Sequence, residues 1–301
     1  MQVPTRADSL DPGTHTDVRA LRRSVLRFGR RGLRPLPWRA TRDPWSVLVS
    51  EVMLQQTQAP RVVAPYVRFL EVFPTPVACA AAGLGDVLIA WAGLGYNRRA
   101  KALHAAAGEI TTRHDGAVPD DLDALVRLPG VGHYTARAVL AFAFERPEAV
   151  VDTNVDRVLA RAVAGSPLTP AAAQRLADRL VPARQSWLWN QALMELGAVV
   201  CRARNPGCSR CPIRAHCAWA KAGAPEPDPA RRGPPQSRFA GSDRQGRGRL
   251  LAALRHGPVR PAQVARACGW PDDPARAGRV AASLVSEGLA RRVPPGVLRF
   301  P

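Results

Sequence analysis

Two kinds of residue in this chain could do chemistry. The first is a set of thiols: Cys201, Cys208, Cys211 and Cys217, spaced C-x6-C-x2-C-x5-C. Four thiolates so close together, in a chain with six cysteines in all, are a metal site before they are a disulfide set. Tetrahedral thiolate sites serve zinc or a 4Fe-4S cluster. Zinc ribbons usually show two C-x2-C knuckles, and only Cys208 and Cys211 form one here. The second kind is a pair of carboxylic acids, Glu51 and Asp152. A carboxyl group held protonated can act as a general acid, and an ionised one can stabilise a developing positive charge.

Glu51 lies on a helix whose start is written as Asp43-Pro44, an N-cap followed by proline in the first turn. The apolar spacing predicts that this helix runs on to Gln58. Val47, Glu51, Leu54, Gln55 and Gln58 then share one face, so Glu51 is flanked by apolar side chains. That neighbourhood favours a protonated carboxyl group. A lone glutamate on a helix is more often a solvated surface residue, and its spacing does not decide between the two. Asp152 precedes a helix beginning near Thr153 and reads as its N-cap. A residue at a helix start can cap it and also face a cleft.

Between the carboxylates, Leu128-Pro129-Gly130-Val131-Gly132 makes a tight turn. One helical pattern with Leu122, Leu125 and Val126 precedes it, and a second, His133 to Phe142, follows it. Glycines let backbone approach a phosphate closely, and the second helix brings its positive end to the same place. Such a contact holds DNA without reading its sequence. A plain helix connection is the bland alternative. His133 is assigned to phosphate or solvent contact.

The bulk properties agree with a polyanionic partner. Lys+Arg is 43 against Asp+Glu 24, a formal charge of +19, and basic surface releases counterions from a phosphate backbone. Only Lys101 and Lys221 are lysines, so part of the excess reflects arginine usage. The first 19 residues lack the apolar core of a secretory signal. The apolar stretch Val77 to Gly95 is Ala/Gly-rich and carries Asp86, so it reads as buried helices and not a membrane span. Clustered cysteines fit a reducing cytoplasm, and Cys79 and Cys268 read as small core residues.

Helical spacing dominates from Val18 to about Ala220, as in Val155, Val158, Leu159, Ala162 and Val163. Residues 1–17 are expected to be disordered. Residues 222–243, with Pro225, Pro227, Pro229, Pro234 and Pro235, read as a stiff, exposed linker. Beyond it, Gly248 to His256, Pro261 to Cys268 and Pro274 to Gly288 are helical. Two short strands surround Pro294-Pro295-Gly296. Three helices followed by a hairpin predict a small winged-helix-like domain over 244–301.

The run Ser50-Glu51-Val52-Met53-Leu54-Gln55-Gln56-Thr57-Gln58 resembles the signature of adenine-specific mismatch DNA glycosylases, the MutY family. Gly93-Leu94-Gly95-Tyr96, Leu128 to Gly132 with Tyr134, Val151-Asp152-Thr153-Asn154-Val155 and the four cysteines follow in the family's order. The resemblance covers about Val18 to Ala220, two thirds of the chain. It implies a mainly α, two-domain helix-hairpin-helix glycosylase fold with an iron-sulfur cluster loop. One domain would be 18–40 with 151–221, the other a six-helix bundle over 41–150. It assigns Glu51 as the acid that protonates adenine and Asp152 as the carboxylate that steadies the sugar, with Tyr134 and Asn154 ordering them. It assigns Gln56 and Tyr96 as wedges beside the orphaned base, as base extrusion requires. Leu128, Gly130, Val131, Gly132, His133, Arg202 and Arg204 become DNA contacts.

The resemblance further implies that Cys201, Cys208, Cys211 and Cys217 hold a 4Fe-4S cluster with a structural or positioning role. Family members that also cut the strand carry a lysine where this chain has Tyr134, and tyrosine has no amine for a Schiff base. The expected protein is therefore a monomeric, monofunctional enzyme acting on double-stranded DNA with an A:8-oxoguanine or A:G mismatch. A thymine or uracil mismatch glycosylase is the enzymatic rival, and a cluster-bearing DNA-binding protein the non-enzymatic one. Many members carry a larger, Nudix-like C-terminal domain that recognises 8-oxoguanine. The roughly 60 residues after Ser242 are too few for it.

Overall fold

The computed structural model describes residues 17–230 and 238–301. The expected disorder of residues 1–17 falls almost wholly outside them, as does the Pro234-Pro235 part of the expected linker. The chain is mainly α-helical, and the described residues form two compact units. Among them no helix is long and apolar enough to cross a membrane.

The first unit takes in residues up to Leu48, Asp120–Val126 and Val131–Pro234. Its helices Val18–Arg30, Thr153–Leu159, Pro170–Leu180 and Ser186–Val199 bury one core that includes Leu21, Val25, Val158, Leu176, Trp189 and Leu196. Two of these helices meet at Gly197. A Cβ there would stand 2.6 Å from Asn154 Cβ and 2.8 Å from the Asn154 carbonyl oxygen, so only glycine permits the approach. Helix Thr153–Leu159 runs into a π-helical turn, Ala160–Ala164, which places Arg161 beside the cysteines.

The second unit is Val49–Pro119, Arg127–Gly130 and Pro235–Pro301. Its helices include Ala59–Val72, Pro76–Ala81, Leu84–Ala90 and Arg98–Arg113. It also holds the C-terminal module: Asp243–His256, Val264–Cys268, Pro274–Ser286 and strands Arg291–Val293 and Val297–Arg299. The strands pair antiparallel with Arg292 opposite Leu298, and Val259 bridges to Leu298 on its other side. Three helices, a short bridge and a hairpin make the expected winged-helix-like arrangement, with the first helix starting five residues before Gly248. Cys79 and Cys268 are both 0% exposed. Burial pushes their thiols up to about 12 and about 11.

Three features depart from the sequence reading. The units are drawn differently from the expected domains. Residues 131–150 lie in the first unit because their helix, His133–Phe142, sits among partners there: Arg137 bonds Glu148 and Asp178, and the Val150 N–H donates to Asn190 Oδ1. The C-terminal module belongs to the second unit. The helix holding Glu51 ends at Leu54 and not at Gln58. Its carbonyls turn instead to Arg99, which takes Val52 O at 2.9 Å, Met53 O at 2.8 Å and Gln55 O at 2.5 Å. Finally, the expected exposed linker is exposed only in part. Asp228 pairs with the buried Arg161, and Pro229 and Ala230 are buried, so these three residues are packed structure.

Candidate active site

Glu51 belongs to helix Pro44–Leu54, which Asp43 caps by accepting the Ser46 N–H at 2.7 Å. Trp45 and the whole run Val47 to Met53 are buried, so this short helix has no polar face to offer water. Glu51 is 5% exposed, between Val47, Leu48 and Val52.

Asp152 is the N-cap of helix Thr153–Leu159, as its position in the sequence predicts. Its Oδ1 accepts the backbone N–H of Asn154 at 2.9 Å and of Val155 at 2.7 Å. Its Oδ2 accepts Asn154 Nδ2 at 2.8 Å. Part of the side chain stays open. Burial pushes the Asp152 carboxyl above its usual range, and these bonds, with the nearby Arg157, pull the other way without reversing it.

Arg157, which carried no signal in the sequence, extends this arrangement. Its Nη2 donates to Asn154 Oδ1 at 2.7 Å and to Gly197 O at 2.8 Å. Its Nε donates to Cys201 O at 2.6 Å. Asp152, Asn154, Arg157 and the first cysteine are therefore one hydrogen-bonded chain. Glu51 and Asp152 lie in different compact units.

In the hairpin, Gly130 adopts φ +77° and lies against Ala102, where a Cβ would come within 2.7 Å of the alanine methyl. Leu128 and Val131 are buried, while Gly132 and His133 are exposed at the start of helix His133–Phe142. Tyr134 is 37% exposed in the first turn of that helix. Backbone N–H groups at such a helix start are suited to phosphate.

Gln56 and Tyr96 share a property the sequence did not announce. Both are exposed, and both hold left-handed backbone, φ 55° and 47°. Arg99 lies between their loops, bonding Gln55 O and Thr57 Oγ1 on one side and Gly95 O on the other. Burial lowers its pKa to about 10, still far above neutrality, so it remains a cation.

All four cluster-loop thiols line one pocket with Arg161, Ile213 and Trp219. Among the described residues, no three Cys, His, Asp or Glu groups are drawn together as a single ion requires. Burial, reinforced by the other three cysteines, pushes Cys211 up to about 11. Arg161 Nη1 donates to Cys201 Sγ at 3.4 Å, an outer hydrogen bond of the kind that tunes metal-bound sulfur. Arg202 and Arg204 are exposed on the loop, where Arg202 Nη2 bonds Asn205 O.

Residues 49–183 match the family model described as HhH-GPD superfamily base excision DNA repair protein. A relative from Mycobacterium tuberculosis, an adenine DNA glycosylase, is 46% identical over 287 residues, covering 92% of each chain. The chain belongs to the adenine DNA glycosylase family. A match of that coverage necessarily runs into the C-terminal module. A solved thermostable thymine-DNA glycosylase has a TM-score of 0.65 at 31% identity, covering 68% of this chain and 97% of its own. An endonuclease III–DNA covalent intermediate has a TM-score of 0.60 at 24% identity, covering 69% and 99%, which bears on the fold alone. The thymine rival thus shares the helical core, while the adenine relative matches nearly the whole chain.

Proposed function

We propose that this base excision repair enzyme, an adenine DNA glycosylase, acts on adenine opposite 8-oxoguanine or guanine in duplex DNA. Adenine leaves deoxyribose slowly because its anion is a poor leaving group. Glu51, in its protonated form, gives a proton to N7, so that the base departs neutral. The sugar left behind is oxocarbenium-like, and ionised Asp152 stabilises it. Asn154 and Tyr134 order the carboxylate and the water that completes hydrolysis. Gln56 and Tyr96 fill the stack when the adenine is extruded. Gly130 to His133, with Leu128 seating the turn, and Arg202 and Arg204 hold phosphate.

The four thiols would hold a 4Fe-4S cluster, which when bound cross-links the loop and fixes it against Arg161. Its position beside the Asp152–Asn154–Arg157 chain supports a structural and positioning role. The protein is assigned to the cytoplasm, as a monomer on DNA.

One observation carries this reading: Glu51, in the family's signature run, is 5% exposed on a helix buried nearly all round. The test is incubation with a duplex holding adenine opposite 8-oxoguanine. Free adenine should appear and should vanish in Glu51→Gln. No release, or release of thymine or uracil only from T:G or U:G duplexes, would overturn the proposal.

A further inference from the structure

Phe239 is 58% exposed and Tyr96 is 40% exposed, and Arg244 reaches both. Its guanidinium lies 6.0 Å from the Phe239 ring centroid, and its Nη1 donates to Tyr96 Oη at 3.3 Å. All three residues belong to one compact unit. Two solvent-facing rings with a guanidinium between them bury no core and close no helix. They offer what an unstacked nucleobase takes: flat faces to lie on and donors for its edge.

The surroundings hold this group in place. Tyr96 keeps a left-handed backbone, which costs energy for a tyrosine and persists only when neighbours enforce it. Arg99 is that neighbour, bonding Gly95 O and lying 5.4 Å from the Tyr96 ring. Arg244 belongs to helix Asp243–His256 of the C-terminal module, which is fastened to the residues just after Tyr96. Glu287 accepts Arg98 Nη2 and Arg247 Nη2, each at 2.5 Å, and its backbone oxygen accepts Lys101 Nζ at 2.5 Å. These bonds hold the Glu287 carboxyl well below its usual range, at about 2, so the fastening persists at any physiological pH. Residues 238–301 carry 12 arginines against four acidic residues, a balance suited to a nucleic acid.

We propose that Phe239, Arg244 and Tyr96 form a stacking and hydrogen-bonding site for an unpaired purine, the base left opposite the excised adenine. The C-terminal module thereby takes part in telling 8-oxoguanine from guanine. This rests on the adenine-excision reading above. An arginine can only donate, and oxidised guanine carries one carbonyl more than guanine, at C8. Oxidation puts that carbonyl where guanine has only C–H and turns N7 from acceptor to donor, so a guanidinium facing position 8, and not N7, gains a partner when the base is oxidised, while the aromatic faces serve both bases alike.

The experiment is single-turnover adenine release by the full chain from two duplexes, A opposite 8-oxoguanine and A opposite guanine. The variants are Arg244→Ala, Arg244→Lys and Phe239→Ala, with thermal melting as the control for folding. Arg244→Ala should lower the ratio of the two rates by about ten-fold, as expected for losing one edge contact. Arg244→Lys should restore part of it. Phe239→Ala should weaken binding to both duplexes by about ten-fold and leave the ratio alone. An unchanged ratio in Arg244→Ala with unchanged melting overturns the proposal, as does an equal loss on both duplexes. If the unmodified chain releases no adenine from either duplex, the excision reading fails first and takes this site with it.

Discussion

The Arg157 guanidinium donates to Cys201 O at 2.6 Å, and with its other arm reaches Asn154, which in turn holds Asp152. The position of the carboxylate is thus tied to the position of the first of the four clustered cysteines. Arg157→Ala removes both ties but no ligand and no acid. A misplacement of ~1 Å in an active site costs on the order of 100-fold in rate. Adenine release under single-turnover conditions should therefore fall by about that factor, while iron content stays at four per chain if the cluster assignment holds. A variant that keeps its rate would show the tie to be idle.

Asp152→Asn separates stability from activity. Asparagine retains an oxygen for the Asn154 and Val155 N–H groups, so the cap survives; its NH2 then faces Asn154 Nδ2 donor to donor, a loss that is the same at every pH, while the charge that burial penalises is removed. The sign follows from the raised carboxyl pKa. Asp152 favours the folded state fully below its unfolded value, 3.8. That contribution is lost as pH rises through the folded value. The melting temperature of the variant relative to the unmodified chain should accordingly climb as pH is raised from about 4 to 7, while adenine release drops by at least ~100-fold. A melting difference that stays flat or falls between pH 4 and 7 would contradict this.

Helix starts were legible because their causes are local. Asp43, Asp152 and the Gly132-His133 step each write their own beginning, and all three helices begin there. The end of the Glu51 helix was not legible, because the group that receives its carbonyls, Arg99, comes from a helix some 45 residues later. Arg157 and Arg161 were hidden for a different reason. Among 41 arginines, nothing in type or spacing marks the ones that turn inward. The proline count around Asp228 suggested exposure, since its partner lies 67 residues away. The four cysteines stood out by their spacing and Glu51 only through the signature run that holds it, whereas a bridging guanidinium is defined only by what surrounds it.

Gly197→Ala tests whether close helix contact is needed to seat Asn154. The new methyl would lie 2.6 Å from Asn154 Cβ, against backbone that cannot swing aside. Overpacking of this kind costs ~1–3 kcal/mol, visible as a lower midpoint in chemical denaturation. Because the displaced residue holds Asp152 Oδ2, adenine release should fall by about ten-fold or more at temperatures where the variant is fully folded. A destabilised variant with the parent's rate would confine Gly197 to packing.

Asp228→Asn addresses the ion pair that joins the post-cysteine segment to the cluster loop. Arg161 is 1% exposed and Asp228 7% exposed, and Arg161 also serves Cys201 Sγ and Arg202 O. Removing the carboxylate leaves a guanidinium buried without its counter-charge, and breaking such a pair typically costs ~3–5 kcal/mol. The lost attraction also frees Arg161 to shift off the Cys201 sulfur. Denaturation midpoints should fall accordingly, and the visible absorbance of a bound iron-sulfur cluster should decay faster under a chelator than in the parent. Replacing both partners, Arg161→Met with Asp228→Leu, should recover much of the stability but not the slow cluster loss, because the donor to Cys201 is still missing. If the double variant also regains chelator resistance, the Arg161 bond to sulfur contributes nothing to holding the cluster.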